Sequence, residues 1–370
     1  MEQSHLDHAL SEDQSLIAGT VLDFASERVA PVHEALDHTG VHPEGLWGEI
    51  AELGLFGTFI PEDLGGAGAG FLAHVVTVEI LGAAGGLAGV LPVAQGIVID
   101  ALIGTNSGTT NDGAQARHLE GLAMGEELGA PALQEDDSAV VLARAEGSGD
   151  SVTLSGEKTL VPFPGRASCY LVRARREDED LLVLVEADAS GITHEGPEVA
   201  LGLHGFETGT LRLSATPGTV LGGADLLDRV MTGARISVSA LLAGIARGAV
   251  GHGTTYAAER IQFGGPLSKL TGIQERLASC DVRTEALRSL VHGAAALRDA
   301  KRPHAQAARR ARQFAAENAV TVAHECLQVF GGYGFSREYP AERFYRDARF
   351  PGFGEHLHHD LVAASAAALE

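Results

Sequence analysis

The order of the hydrophobic patterns predicts a multidomain α+β protein: a helical part, an all-β insert and a second helical part. Three observations carry this expectation. Helical spacing of apolar residues runs through residues 1–129, short β-rich runs separated by turns fill residues 130–222, and helical spacing returns over residues 223–370. With 370 residues, 45% hydrophobic and 21% charged, the chain is long enough for two or three domains and apolar enough to bury a core.

In the first part, Asp13 to Leu36 places Leu16, Ile17, Val21, Phe24 and Val29 at helical spacing, and Trp47, Ile50, Leu53 and Leu55 continue the pattern. Pro61 and the glycines at 65, 66, 68 and 70 break it. An Ala/Gly/Val-rich segment then runs from Phe71 to Gly104, and its small residues predict closely packed helices. His74, Glu79, Pro92, Gln95 and Asp100 interrupt that segment, so it reads as buried helix and not as a membrane span. In the middle part, Val140–Arg144, Ser151–Leu154, Cys169–Arg173 and Leu181–Glu186 are candidate strands, with Gly147-Ser148-Gly149-Asp150 as a turn. Leu211 and Leu213 alternate with polar neighbours, and the insert is expected to be a small barrel or sandwich. In the third part, Arg235–Glu259 is a long apolar-periodic helix. Thr271-Gly-Ile-Gln274 fits a capping box opening a second helix, and Ala305–Val329 forms a third, stopped by Gly331-Gly332.

A formal charge of −22 argues against binding nucleic acid, which needs a basic face, and against docking on an anionic membrane. Cys169, Cys280 and Cys326 lie far apart without a CxxC pair, which fits a reducing, cytoplasmic setting. Met1 to Asp23 has no signal-peptide core. The chain has no GxxxxGK[ST], GxSxG or HExxH motif. The glycines from 65 to 70 follow Pro61-Glu62-Asp63 and not a strand, which disfavours a dinucleotide loop. His356, His358, His359 and Asp360 have an HxHxD spacing, but no flanking ligand motif supports them; they read as a polar face, and no metal is assigned.

Three motifs in the last part are more specific: Arg260-Ile-Gln-Phe263-Gly264, Gln328-Val-Phe-Gly331-Gly332-Tyr-Gly-Phe335 and Tyr339-Pro-Ala-Glu-Arg343-Phe-Tyr-Arg346-Asp347-Ala348. A guanidinium suits a pyrophosphate, and paired glycines let backbone approach a ligand. The ordinary alternative makes Gly331-Gly332 a helix cap and Arg343, Arg346 and Asp347 surface ion pairs.

With these motifs in this order, the chain resembles the acyl-CoA dehydrogenase family over essentially its whole length. Gly54-Leu-Phe-Gly-Thr-Phe-Ile-Pro-Glu-Asp-Leu-Gly-Gly66 looks like the family's N-domain signature, and Ser155-Gly-Glu-Lys158 sits where its β domain has a GxK turn. The resemblance implies an N-terminal helical domain (1–129), a middle β-barrel domain (130–222) and a C-terminal four-helix bundle (223–370). It implies FAD, a tetramer built as a dimer of dimers, acyl-CoA or another acyl thioester as substrate, fatty acid metabolism, and an electron-transfer flavoprotein as acceptor. It also implies α-proton abstraction by a carboxylate, with hydride leaving the β-carbon for flavin N5. The family's base lies nine residues after the Arg of an RDA motif. From Arg346 that position is Glu355; the alternative for Glu355 is a solvated acid. Some relatives place the base on the helix that begins the C-domain, next to an arginine. Arg235 matches that arginine, but its neighbour is Ala234, which leaves Glu355 as the candidate base with Arg235 supporting it electrostatically. Arg260, Phe263, Gln328, Gly331 and Gly332 match the residues that hold the adenosine diphosphate part of FAD from the neighbouring subunit.

The departures are uneven. Where the family has Trp-Ile-Thr against the flavin, this chain has Leu160-Val161-Pro162, and a proline has no N–H or hydroxyl to donate. The family's TEPxAGSD segment is reduced to Leu133-Gln-Glu-Asp-Asp-Ser138, and the residues after the base are His356 and Leu357. The half that serves a neighbour is intact and the half that serves the chain's own barrel is eroded. An alternative to an active homotetramer is therefore a weak or silent subunit that completes the flavin site of a homologous partner in a heterotetramer. A third reading is other chemistry on a carrier-protein thioester.

Overall fold

A computed structural model describes residues 10–41, 44–105, 112–135, 143–146 and 150–353. The N-terminal part contains α1 (Glu12–Phe24), α2 (Ala30–Thr39), α3 (Glu44–Glu52), α4 (Phe71–Ala84), α5 (Gly86–Gly104) and α6 (Asp112–Ala123). Ser11 and Gln14 form a reciprocal capping box on α1. A π-helical turn, Ala25–Val29, joins α1 to α2. Helices α4 and α5 are apolar all round and buried along nearly their full length, as expected for core helices. Their small residues set the spacing: a Cβ on Gly89 of α5 would lie 2.8 Å from the Cα of Gly82 of α4. The start of α4 is capped from a distant element, because the Asp299 carboxylate accepts from Phe71 N at 2.6 Å and Leu72 N at 2.9 Å.

The middle part contains β1 (Gly129–Ala132), β2 (Ala143–Glu146), β3 (Ser151–Pro162), β4 (Cys169–Arg176), β5 (Glu179–Glu186), β6 (Ile192–Glu195) and β7 (Thr208–Gly222). The pairings β4–β2, β2–β3, β3–β7, β7–β5 and β5–β4 close into a ring, so the insert is a barrel, with β1 and β6 attached to it. Leu211 and Leu213 point into its core as their alternation predicts. Gly156 and Lys158 do not form a turn. They lie within β3 beside a register shift, where Gly156 takes φ 149° and the strand bulges.

The C-terminal part packs α7 (Ala224–Glu259), α8 (Thr271–Asp299) and α9 (Ala305–Val329) together, with the short α10 (Ala341–Asp347) across them. Three long helices of the expected four are among the described residues. The capping box expected at Thr271 does not form. Leu270, in extended conformation, precedes the helix, so Thr271 is already inside it, and the Gln274 amide donates to Ser268 O instead. Helix α9 ends at Val329, and Gly331 takes φ 59° just beyond. Helices α4 and α5 pack on α7, so one continuous apolar core spans all three parts.

Candidate active site

The RxxFG and QxxGG motifs meet at one end of the bundle. Beyond α7, the strands β8 (Ile261–Gln262) and β9 (Gly265–Pro266) form a two-residue hairpin. Its turn residues are Phe263 at φ 54° and Gly264 at φ 86°, the positive pair of a type I′ turn. That geometry throws the Phe263 ring outward, 87% exposed. The Arg260 guanidinium lies 5.3 Å from the Tyr333 ring centre, on the segment after α9. Tyr256 stacks on Phe330 at 4.2 Å and meets Tyr339 at 5.4 Å, fixing the two motifs together. Gln328 is exposed on the last turn of α9, and no atom lies within 4 Å of a Cβ built on Gly264, Gly331 or Gly332. The five residues assigned to the adenosine diphosphate group therefore share an open face, flanked by Phe335 at 94% exposure.

The RDA motif is neither a pyrophosphate clamp nor a set of surface ion pairs; it ties the three parts together. Arg346 forks onto Asp37 of α2 at 2.7 and 3.1 Å and bonds Glu342 at 2.6 Å. Asp347 accepts from Leu203 N at 2.6 Å, on the loop between β6 and β7. Burial pushes the Asp347 carboxyl up to about 6 against the pull of that bond. Arg343 is buried, and burial holds its guanidinium below the usual value.

The chain then runs as an arm toward Glu355. The buried Arg312 of α9 donates to Pro351 O at 2.5 Å. Gly352 lies on α7, a Cβ built there coming 3.4 Å from Val238, one turn beyond the half-buried Arg235. Phe350 and Phe353 pack edge-on against each other at 5.3 Å and against Phe206 of the barrel at 6.3 and 6.0 Å. Glu355 itself lies outside the described residues, as do the histidines at 356, 358 and 359 and Asp360.

On the barrel side, Leu160 is half-buried at φ 51°, and Pro162 is buried in β3 opposite Thr208. A cavity of about 130 Å³ lies between Leu160, Leu203, Phe206, Phe350 and Phe353. Inside the barrel, Lys158 pairs with Glu135, and burial lowers the lysine to about 8 despite that partner.

The sequence reading missed a larger cleft. Some 770 Å³ opens between the start of α4, the start of α7 and the α8–α9 turn. Arg229, Arg298, Lys301 and Arg302 line it against Asp225, Asp228 and Asp299, and Asp299 is already engaged in capping α4. Arg229 and Arg298 also pair with the buried Asp100 at 3.2 and 2.5 Å, so the charges of the cleft balance, and its exposed cations include Lys301 and Arg302. The only sequence signal was the basic run Lys301-Arg302-Pro303-His304.

Residues 11–126 match the model of the acyl-CoA dehydrogenase N-terminal domain, and residues 222–355 that of the C-terminal domain. The probable acyl-CoA dehydrogenase YngJ of Bacillus subtilis is 32% identical over 363 residues, covering 94% of this chain and 95% of the relative. The chain belongs to the acyl-CoA dehydrogenase family. It is accordingly an oxidoreductase acting on CH–CH groups, and FAD is its cofactor. Butyryl-CoA dehydrogenase from Megasphaera elsdenii superposes with a TM-score of 0.89 at 26% identity, covering 100% of both chains. The Tcur3481-Tcur3483 steroid ACAD superposes with a TM-score of 0.84 at 29% identity, covering 96% of this chain and 99% of that one.

The two halves of the acyl-CoA dehydrogenase flavin site fit FAD unequally. The face around Arg260, Gly331 and Gly332 suits a diphosphate: a guanidinium beside backbone that no side chain covers. Beside Leu160, the 130 Å³ cavity falls short of the ~300–1,000 Å³ usual for ligand pockets. Pro162, two residues on in the same strand, has no N–H to donate.

Proposed function

We propose that the chain is a subunit of an FAD-dependent dehydrogenase that oxidises the α,β-bond of an acyl thioester. The observation that carries this reading is the anchored arm. Arg346, Asp347 and Arg312 hold residues 346–352 from three directions, and the arm reaches α7 a turn from Arg235, three residues before Glu355. Glu355 takes the α-proton, and Arg235 supports its negative charge. Arg260, Phe263, Gln328, Gly331 and Gly332 hold the diphosphate end of FAD from the adjacent subunit. When bound, FAD accepts the hydride that leaves the β-carbon. Lys301 and Arg302 at the larger cleft suit the phosphates of coenzyme A, and an electron-transfer flavoprotein would be the electron acceptor. Glu355→Gln tests the base. Flavin bleaching by acyl-CoA is expected to vanish while substrate binding persists; unchanged bleaching removes Glu355 from the role.

A second reading draws on the inequality between the flavin half-sites. The open face at Arg260 completes a flavin held in the barrel of a homologous partner, while this chain's own barrel holds none. The visible spectrum separates the two. About one flavin per chain in the protein purified alone refutes the second reading. Flavin that appears only after co-expression with a homologue refutes an active homotetramer. In either case Arg260→Ala is expected to lower flavin affinity by about 1.5–3 kcal/mol, the worth of a charged hydrogen bond.

A further inference from the structure

Away from the residues assigned to FAD and thioester, three metal-donor side chains meet where α6 docks on the barrel. His118 of α6, Glu127 of the link into β1 and Cys169 at the start of β4 each present one donor atom, and the three atoms lie within 4.8 Å of one another. Glu186 of β5 is the cross-strand partner of Cys169 and brings its Oε1 to 2.9 Å from His118 Nε2. We propose that this cluster binds a divalent, borderline-soft cation, Zn²⁺ by preference, through His118 Nδ1, Glu127 and Cys169, with water as the fourth ligand and Glu186 as the outer partner that accepts from His118 Nε2.

The donor set points to the metal. Nitrogen, oxygen and sulfur on one small ion is the chemistry of zinc, whereas calcium and magnesium take oxygen alone. The charges point the same way. Glu127 Oε2 lies 2.5 Å from His118 Nδ1, while Glu186 faces the other ring nitrogen. A neutral imidazole has one N–H and satisfies one carboxylate; the other is met by a second ring proton or, in its place, by a cation bound at that nitrogen. Arg117 meets part of the need of Glu186, at 3.1 Å from Nε2 and 3.3 Å from the carboxylate, from a side chain that is 61% exposed. The thiol lies on the inner side of the cluster. Burial, reinforced by Glu127 and Glu186, pushes Cys169 up to about 12. A divalent ion relieves this crowding: it displaces the thiol proton to solvent and takes the thiolate as ligand. With one carboxylate and one thiolate on a 2+ ion the ligand set is neutral, and Glu186, outside it, keeps Arg117 as its counter-charge.

Seating the ion requires a small adjustment. Ligand distances of ~2.0–2.1 Å set a tetrahedral N···O edge of roughly 3.3 Å. Glu127, on a link and partly exposed, must therefore retreat by under about 1 Å from its place at 2.5 Å. His118 and Cys169 are buried and already fixed by α6 and β4. The ion would pin α6 to the barrel and take no part in the redox chemistry.

Cobalt is the probe. The full chain, stripped with a chelator and titrated with Co²⁺, is expected to develop a thiolate-to-cobalt charge-transfer band at one equivalent, and one equivalent of Zn²⁺ should quench it. Cys169→Ser should abolish the band, and His118→Ala should weaken cobalt binding at least tenfold. No band in the unmutated chain overturns the proposal without any variant having to fold. A band that survives Cys169→Ser overturns it as well, by moving the thiolate to the Cys280 and Cys326 helices.

Discussion

His74 offers a test of burial by pH. Its ring lies in the core between Phe59 and Phe71, with Nε2 3.1 Å from Ser237 Oγ. Burial, reinforced by the nearby Arg298 charge, lowers its pKa from 6.5 to about 3. His33 is likewise lowered to about 3, by burial first and then by Arg343. Unfolded, each imidazole binds a proton below pH 6.5; folded, neither does until about pH 3. Between those limits the unfolded chain holds the extra protons. Stability therefore falls with falling pH, by about 1.4 kcal/mol per pH unit for each group. From pH 6.5 to 5 the pair removes about 3 kcal/mol, a large part of the ~5–15 kcal/mol that holds a typical protein folded. Asp347, raised to about 6, works in the opposite direction below that pH, so the wild-type curve alone does not isolate His74. His74→Gln does. Its amide can keep the bond to Ser237 but does not titrate. Urea unfolding at half-unit steps from pH 7.5 to 4.5 should show the variant slightly less stable at the top and its slope shallower by about 1.4 kcal/mol per unit below pH 6. Parallel curves for the two proteins would refute the reasoning.

Glu79 is buried in α4 against Arg288 at 2.6 Å, His292 at 2.7 Å and Arg247 at 3.1 Å, and Glu79→Gln leaves Arg288 buried without it. A loss of about 3–5 kcal/mol is expected in chemical denaturation, and a loss below 1 would show the network to be neutral. Arg346→Ala should cost about 3–5 kcal/mol by stranding Asp37, and Asp37→Asn in the same chain should recover part of that loss in a double-mutant cycle. Arg312→Met removes the donor to Pro351 O, with an expected cost of about 1.5–3 kcal/mol and a drop in kcat larger than any change in KM. Equal kcat in variant and wild type would detach the arm from catalysis.

What could be read in advance depended on the range of the interaction. The barrel strands at Ser151–Leu154, Cys169–Arg173 and Leu181–Glu186, the buried character of Phe71–Gly104 and the stop after Val329 are written in neighbouring residues, and the structure carries each of them; of the strand expected at Val140–Arg144, residues 140–142 lie outside the described residues. The capping box failed by a single residue, because Leu270, extended at φ −83° and ψ 125°, takes the N-cap position that the pattern gave to Thr271. Gly156 and Lys158 look like a turn locally; pairing with β7, some 55 residues further on in sequence, makes them a bulged strand. The partners of Arg346 and Asp347 lie 309 and 144 residues away, so no local pattern distinguishes an interdomain tie from a surface ion pair. The larger cleft draws Arg229 from α7, Arg298 from α8 and its apolar wall from the N-terminal part, so only the short Lys301-Arg302 run hinted at it.

Phe263 is where the sequence works against local structure. A bulky residue at φ 54° costs roughly 1–2 kcal/mol, and this ring recovers little of it by packing, being 87% exposed. Asn-Gly is the pair that a type I′ turn favours, so the chain taken alone would be better served by Asn at 263. Keeping Phe there makes sense when the ring is covered by something the single chain does not contain, namely the flavin and subunit that the open face at Arg260 would serve. Phe263→Asn should therefore raise the stability of the isolated chain by about 1 kcal/mol while lowering flavin occupancy of the assembled protein. If the variant is instead less stable and keeps its flavin, the ring belongs to this chain's own fold, and the case for a half-site offered to a neighbour loses its physical basis.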